Sequence, residues 1–98
     1  VIASRFLPLA EAELMEAVSF YSAAGTRTGV RFQRALEAAV TKAMLNPDFG
    51  APGLMGTRRR IVDGFPYNVI YRASDIELLV VAIAHHRRRP GYWANRIR

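Results

Sequence analysis

From Ile76 to Ala84 the chain reads IELLVVAIA, apolar at every position but Glu77. The unbroken apolar part, Leu78 to Ala84, is far too short to cross a bilayer. Such a run predicts a central strand covered on both faces, so layers must lie on either side of it. Ninety-eight residues make a single domain, and that one domain must supply the cover.

The flanking segments name the pieces. Tyr67, Val69 and Tyr71 alternate with Asn68, Ile70 and Arg72, which predicts a second strand. Arg58 to Val62 reads as a third, joined through the turn Gly64-Phe65-Pro66, and Ser74-Asp75 turns the chain toward the apolar run. Before the Gly/Pro-rich stretch DFGAPGLMG, residues 48–56, the period is helical instead. Ala10, Leu14, Ala17, Val18 and Tyr21 share one stripe in a helix over Leu9–Ala24, opened by Pro8 and stopped by Gly25. Phe32, Leu36, Ala39, Val40 and Ala43 share another in a helix from about Thr28 to Leu45, ended by Asn46-Pro47. The three or four residues between the helices predict an antiparallel hairpin. Ile2 to Leu7 reads as an N-terminal strand. The expected fold class is α+β: an N-terminal strand and a helical hairpin packed on a small, mostly antiparallel sheet.

Charge is unevenly placed. The chain carries a net charge of +6, yet residues 1–56 hold five basic and five acidic side chains. Residues 57–98 hold nine arginines against Asp63, Asp75 and Glu77. The C-terminal half therefore projects a positive field suited to nucleic acid or an acidic protein. There is no cysteine, which excludes a disulfide framework, a thiolate zinc site and a thiol nucleophile. Val1 to Leu9 lacks the apolar core of a signal peptide, and a cytoplasmic protein is expected.

The densest chemistry lies in HHRRRPGYW, residues 85–93. Adjacent histidines chelate poorly, and no cysteine or nearby carboxylate completes a set, so no metal is expected. On a strand His85 and His86 point to opposite faces. One is expected to pack, hydrogen-bonded, at the strand end and the other to face solvent. Tyr92 and Trp93, beyond the Pro90-Gly91 break, read either as interface anchors or as a lid folded back over the sheet, with the lid favoured for at least one. Arg58 and Arg60 share a strand face and are expected to form a cationic ridge with Arg72 or Arg87. Phe65, Tyr67 and Tyr71 read as core and turn residues. Glu11, Glu13 and Glu16 read as a solvated helical face. The Gly-rich stretch lacks the Lys-Ser/Thr of a phosphate loop, so no nucleotide cofactor is expected.

Four segments, PLAEAELMEAVSFY, FQRALEAAVTKAMLNPDFG, RRRIVDGFPYNVIYR and VVAIAHHRRRPGYW, occur in this order over nearly the whole chain. Together they resemble the ParE/RelE superfamily, the toxic halves of bacterial type II toxin–antitoxin pairs. The resemblance implies the fold derived above and a cognate antitoxin whose flexible, often acidic segment wraps the toxin. It also implies one of two targets: RelE-like members cleave mRNA on the ribosome, whereas ParE-like members inhibit DNA gyrase without ribonuclease activity.

Cleavage by the RNA's own 2′-OH requires a base, cations for the charged phosphorane and an acid for the leaving oxygen. Arg72, His85 or His86, Arg87 and Tyr92 would have to supply them. Two features weigh against that role. The RelE ribonucleases use a lysine- and arginine-rich site, whereas Lys42 is the single lysine here and lies on the second helix. Another ribonuclease branch ends in a short His-Tyr tail, whereas Trp93 to Arg98 follow Tyr92. The RRRPGYW stretch is closer to the ParE-like branch. The leading expectation is a gyrase inhibitor with Arg58, Arg60, Arg72, Arg87, Arg88, Arg89, Tyr92 and Trp93 binding target or antitoxin, and no catalytic residue. A ribosome-dependent endoribonuclease and a non-toxic binding module on the same fold are the alternatives.

Overall fold

The computed structural model describes residues 3–98. Strand β1 (Ala3–Phe6) leads into helices α1 (Pro8–Ala23) and α2 (Thr26–Leu45). A short strand β2 (Ala51–Pro52), then β3 (Arg58–Ile61), β4 (Tyr67–Ala73) and β5 (Glu77–His85) complete the sheet. The strand order is β1-β5-β4-β3-β2. β1 runs parallel to β5, and the other neighbours are antiparallel. The expected α+β architecture is the observed one. Ile2, placed at the start of the first strand by its sequence, lies outside the described residues.

Several boundaries differ from the sequence expectation. The helical hairpin turns through Ala24 and Gly25 alone, because α2 begins at Thr26 rather than Thr28. Gly25 permits the tight reversal with a φ of 150°, which side chains other than hydrogen disfavour. Its carbonyl accepts the Gly29 N–H at 3.1 Å. Ala51–Pro52, inside the stretch expected to be loop, pairs with Arg58 and Arg59 of β3. The Gly53 N–H donates to the Thr57 carbonyl at 2.8 Å and closes that connection.

The helices cover one face of the sheet. Phe32 and Leu36 of α2 meet Val69 and Tyr71 of β4 and Leu78 and Val80 of β5 in the larger core. Tyr71 is buried, and its hydroxyl donates to the Pro47 carbonyl at 2.6 Å. That bond ties the turn after α2 to the sheet and satisfies a polar group that burial would otherwise penalise.

A β-bulge sets the rest of the geometry. Ile70 pairs with Ala82 and Tyr71 with Val80, so Val81 is an extra residue in β5. Leu78, Val80 and Ile83 belong to the helix-side core, whereas Val81 and Ala82 both pack on the opposite face. An inserted residue of this kind shifts the alternation by one. Past the bulge Ile83 belongs to the helix side and Ala84 to the open face. The second layer over β5 is the C-terminal segment: Trp93 and Ala94 are buried against Ile70, Val81, Ala82 and Ala84. The strand is covered on both faces, by helices and by its own continuation.

Candidate binding surface at the C-terminal turn

The candidate surface is built where β5 ends. The strand stops at His85, the His86 N–H donates to the Pro66 carbonyl at 2.8 Å, and the Arg88 N–H returns to the His85 carbonyl at 2.9 Å. That turn throws Arg87, Arg88 and Arg89 outward, and all three are exposed. Pro90 and Gly91 then reverse the chain, Gly91 with a φ of 75°. A methyl group on Gly91 would come within 2.9 Å of Leu54. Gly91→Ala therefore meets both left-handed strain and a close contact. It should cost about 1–2 kcal/mol, read as a lower urea midpoint at unchanged slope.

Between the turn and the open face of the sheet lies a cleft of about 330 Å³. Arg59, Asn68, His85, His86, Arg88, Arg89 and Tyr92 supply its polar lining, and Leu54, Ile70 and Ala84 are among its apolar residues. No other side chain bonds the Arg59 or Arg89 guanidinium among the described residues. The cleft is therefore a cationic pocket with spare donors, matched to carboxylate or phosphate oxygens.

The turn is held by a half-buried acid that its sequence pattern had placed in solvent. Glu13 of α1 accepts from the Arg96 guanidinium at 2.8 and 3.0 Å, from the Tyr92 hydroxyl at 2.6 Å and from the Ile83 N–H at 3.1 Å. Arg96 also donates to the Val81 carbonyl at 3.0 Å. The expected solvated face of Glu11, Glu13 and Glu16 is corrected at Glu13, which lies between the buried Ala10 and Ala17 on the inward stripe of the helix. Burial pushes the Glu13 carboxyl up, but the bonds from Arg96, Tyr92 and Ile83 outweigh it and hold the acid below its ordinary value. Burial, then the bond to Glu13, drives the Tyr92 hydroxyl well above its ordinary value. The Arg88 guanidinium lies 3.7 Å from the Tyr92 ring centroid and 3.9 Å from Glu13.

The other candidates are dispersed. Arg58 and Arg60 pair with Tyr71 and Val69, so they share the helix-side face of the sheet. Arg58 donates to the Gly50 carbonyl at 2.8 Å, and Arg60 lies over the Phe49 ring. Arg72 pairs with Leu79, on the opposite face, and reaches the Met55 carbonyl at 3.4 Å. The expected ridge of Arg58 and Arg60 with Arg72 is therefore not formed, because those side chains leave the sheet on different sides. Arg87 belongs to the turn beyond β5. Arg59, which its sequence context did not single out, is the member of its triplet that lines the cleft. Alternation would have put Arg59 opposite its two neighbours; which face mattered depended on strand register.

His85 is half-buried, edge-on to the Tyr67 ring at 5.0 Å, and its Nδ1 accepts the Arg87 N–H at 3.0 Å. His86 is exposed beside the cationic cleft. The expectation of one packed and one solvent-facing histidine is met. Trp93 forms the lid over the sheet and is only 6% exposed. Tyr92 is half-buried beside it. Lys42 pairs loosely with Asp63 at 3.4 Å. No helix among the described residues is long and apolar enough to cross a membrane.

Comparison with known proteins agrees with this architecture. No curated protein matches the chain. Among solved structures it is similar to a chain of one described as "Chromosomal ParDE TA system from P. aeruginosa", with a TM-score of 0.73 at 16% identity. That match covers 86% of this chain and 95% of the other, and at such identity it shows the shared fold. Residues 5–90 match the family model described as "ParE toxin of type II toxin-antitoxin system, parDE". With the match running over most of the sequence, the chain belongs to the ParE toxin family of type II toxin–antitoxin systems.

Proposed function

We propose that this chain is a toxin that stops growth by binding DNA gyrase, not by cutting RNA, and that a cognate antitoxin holds it inactive in the bacterial cytoplasm. Family membership implies the antitoxin partner. The positive C-terminal half and the cleft of Arg59, Arg88 and Arg89 suit an acidic, flexible antitoxin segment.

The observation that carries the non-nucleolytic reading is the state of the groups a ribonuclease would need. His85 is tied to the turn through Nδ1 and packs on Tyr67. Tyr92 is bonded to Glu13, with its proton held more tightly than usual, and Arg88 covers its ring. Arg72 is engaged at Met55. His85, His86 and Tyr92 all line the cleft, but His85 gives its Nδ1 to the turn and Tyr92 its hydroxyl to Glu13, which leaves His86 as the exposed imidazole beside the cations.

The test is ATP-dependent supercoiling by purified gyrase, titrated with this protein with and without its antitoxin. Antitoxin-reversible inhibition is expected. His85→Ala and His86→Ala should leave that inhibition nearly unchanged. Arg87→Glu combined with Arg89→Glu, at exposed positions with no ion-pair partner among the described residues, should raise the half-inhibitory concentration about tenfold. New mRNA 5′ ends after induction, with gyrase unaffected, would transfer the reading to a ribosome-dependent endoribonuclease. Failure to slow growth at all would transfer it to a binding module.

A further inference from the structure

A second cleft lies on the helix side of the sheet, between the C-terminal half of α1 and the ends of β4 and β5. It has a volume of about 390 Å³, and Glu16, Phe20, Tyr21, Tyr67, His85 and Arg88 are among its lining residues. It shares His85 and Arg88 with the cationic cleft but differs from it in its aromatic walls and in the Glu16 carboxylate. Phe20, Tyr21 and Tyr67 give it aromatic walls. Phe20 is 68% exposed, a large apolar ring left in water with no core to fill. The rings are ordered by one another: Tyr21 lies 5.2 Å from Phe20 and 6.2 Å from Tyr67, both edge to face.

Three acceptors remain free in this cleft, alongside the His85 imidazole and the Arg88 guanidinium. The Glu16 carboxylate, the Tyr21 hydroxyl and the Tyr67 hydroxyl have no side-chain or backbone partner among the described residues. Glu13, the other carboxylate on the wall, is already engaged by Arg96, Tyr92 and the Ile83 N–H. Arg88, the cation on the far wall, is partly neutralised by Glu13 at 3.9 Å and stacks on Tyr92. The spare negative charge is that of Glu16. Burial first, then Tyr21 and Glu16, raise the Tyr67 hydroxyl above its ordinary value.

Aromatic faces beside a free carboxylate attract a cation through the ring quadrupoles and the ion pair together. We infer that this cleft receives the guanidinium or ammonium head of a basic side chain from a protein partner, with Phe20, Tyr21 and Tyr67 as its walls and Glu16 as its counter-ion. Charge complementarity commits the occupant: an acidic side chain would meet Glu16, and a purely apolar one would leave that carboxylate desolvated and unpaired. The inference does not depend on gyrase being the target.

The experiment is an NMR titration of the whole chain with N-acetyl-arginine methylamide, with the citrulline analogue as the neutral isostere. Saturable shifts at the Phe20, Tyr21 and Tyr67 rings are expected with the arginine probe and not with citrulline. Glu16→Gln should weaken the arginine probe about fivefold. Glu11→Gln, also exposed on α1, should leave it unchanged. Equal response to citrulline, an unchanged affinity in Glu16→Gln, or no saturable shift would each overturn the assignment.

Discussion

Glu13→Ala is expected to lower the unfolding free energy by about 2–4 kcal/mol and to release the C-terminal turn from the sheet. The Glu13 and Arg96 side chains are only 16% and 12% exposed. Removing the acid strands the guanidinium and takes an acceptor from the Tyr92 hydroxyl and the Ile83 N–H at once. Urea unfolding measures the loss, and faster tryptic cleavage at Arg87–Arg89 reports the release. Glu13→Leu combined with Arg96→Leu should be less damaging than either single change, because no unpaired charge is left behind.

The same network has a pH signature. The folded-state value of Glu13 is depressed, so its contribution is fully present above the ordinary glutamate value, about 4.3. It is lost as pH falls through the lower folded value. Glu13→Gln should flatten the stability profile in that acid window. Tyr92 is shifted the other way, so its contribution is present below the ordinary tyrosine value, about 10, and fades as pH rises beyond it. Tyr92→Phe should flatten the alkaline side.

Phe32→Ala is expected to cost about 3–5 kcal/mol, a large part of the roughly 5–10 kcal/mol that a domain of this size possesses. Phe32 is fully buried, with ring centroids of Tyr21, Phe65 and Tyr67 at 5.0, 5.1 and 5.3 Å. Those neighbours come from α1, the β3–β4 turn and β4, so one side chain joins both helices to the sheet. Its loss leaves a cavity that three rings anchored on different elements cannot all collapse into. Phe32→Leu keeps most of the contact and should cost less, about 1–2 kcal/mol. Thermal unfolding of the two variants side by side checks the order.

The fold was legible because its signals were periodic. The stripes of α1 and α2, the alternation over Tyr67–Arg72 and the apolar run of β5 each specify an element and its buried face. The candidate surface was less legible, for identifiable reasons. Glu13 lies on the apolar stripe of α1, where its position carried a signal that its charge obscured. Its partner Arg96 comes 83 positions later, and no local pattern links the two. Arg59 was hidden by register: its two neighbours were equally basic, and only the pairing with Ile70 settles which of them faces the tail. Tyr92 and Trp93 could be foreseen as a lid, but not the acid that fastens one of them.

The extra residue in β5 separates the length of that strand from the facing of its end. Val80 and Ala82 already sit on opposite sides, opposite Tyr71 and Ile70. A chain lacking Val81 could join them directly as an ordinary alternating pair, and His85 would still meet Tyr67 while His86 kept the arginine-lined cleft. One residue lost between Ala82 and His85 has no such absorber: it would trade the two imidazoles between the aromatic and the cationic sides. The bulge is thus a tolerant joint in an otherwise parity-locked strand. Relatives of this toxin that differ by one residue at the joint can keep the same surface, whereas those that differ beyond it present a different one.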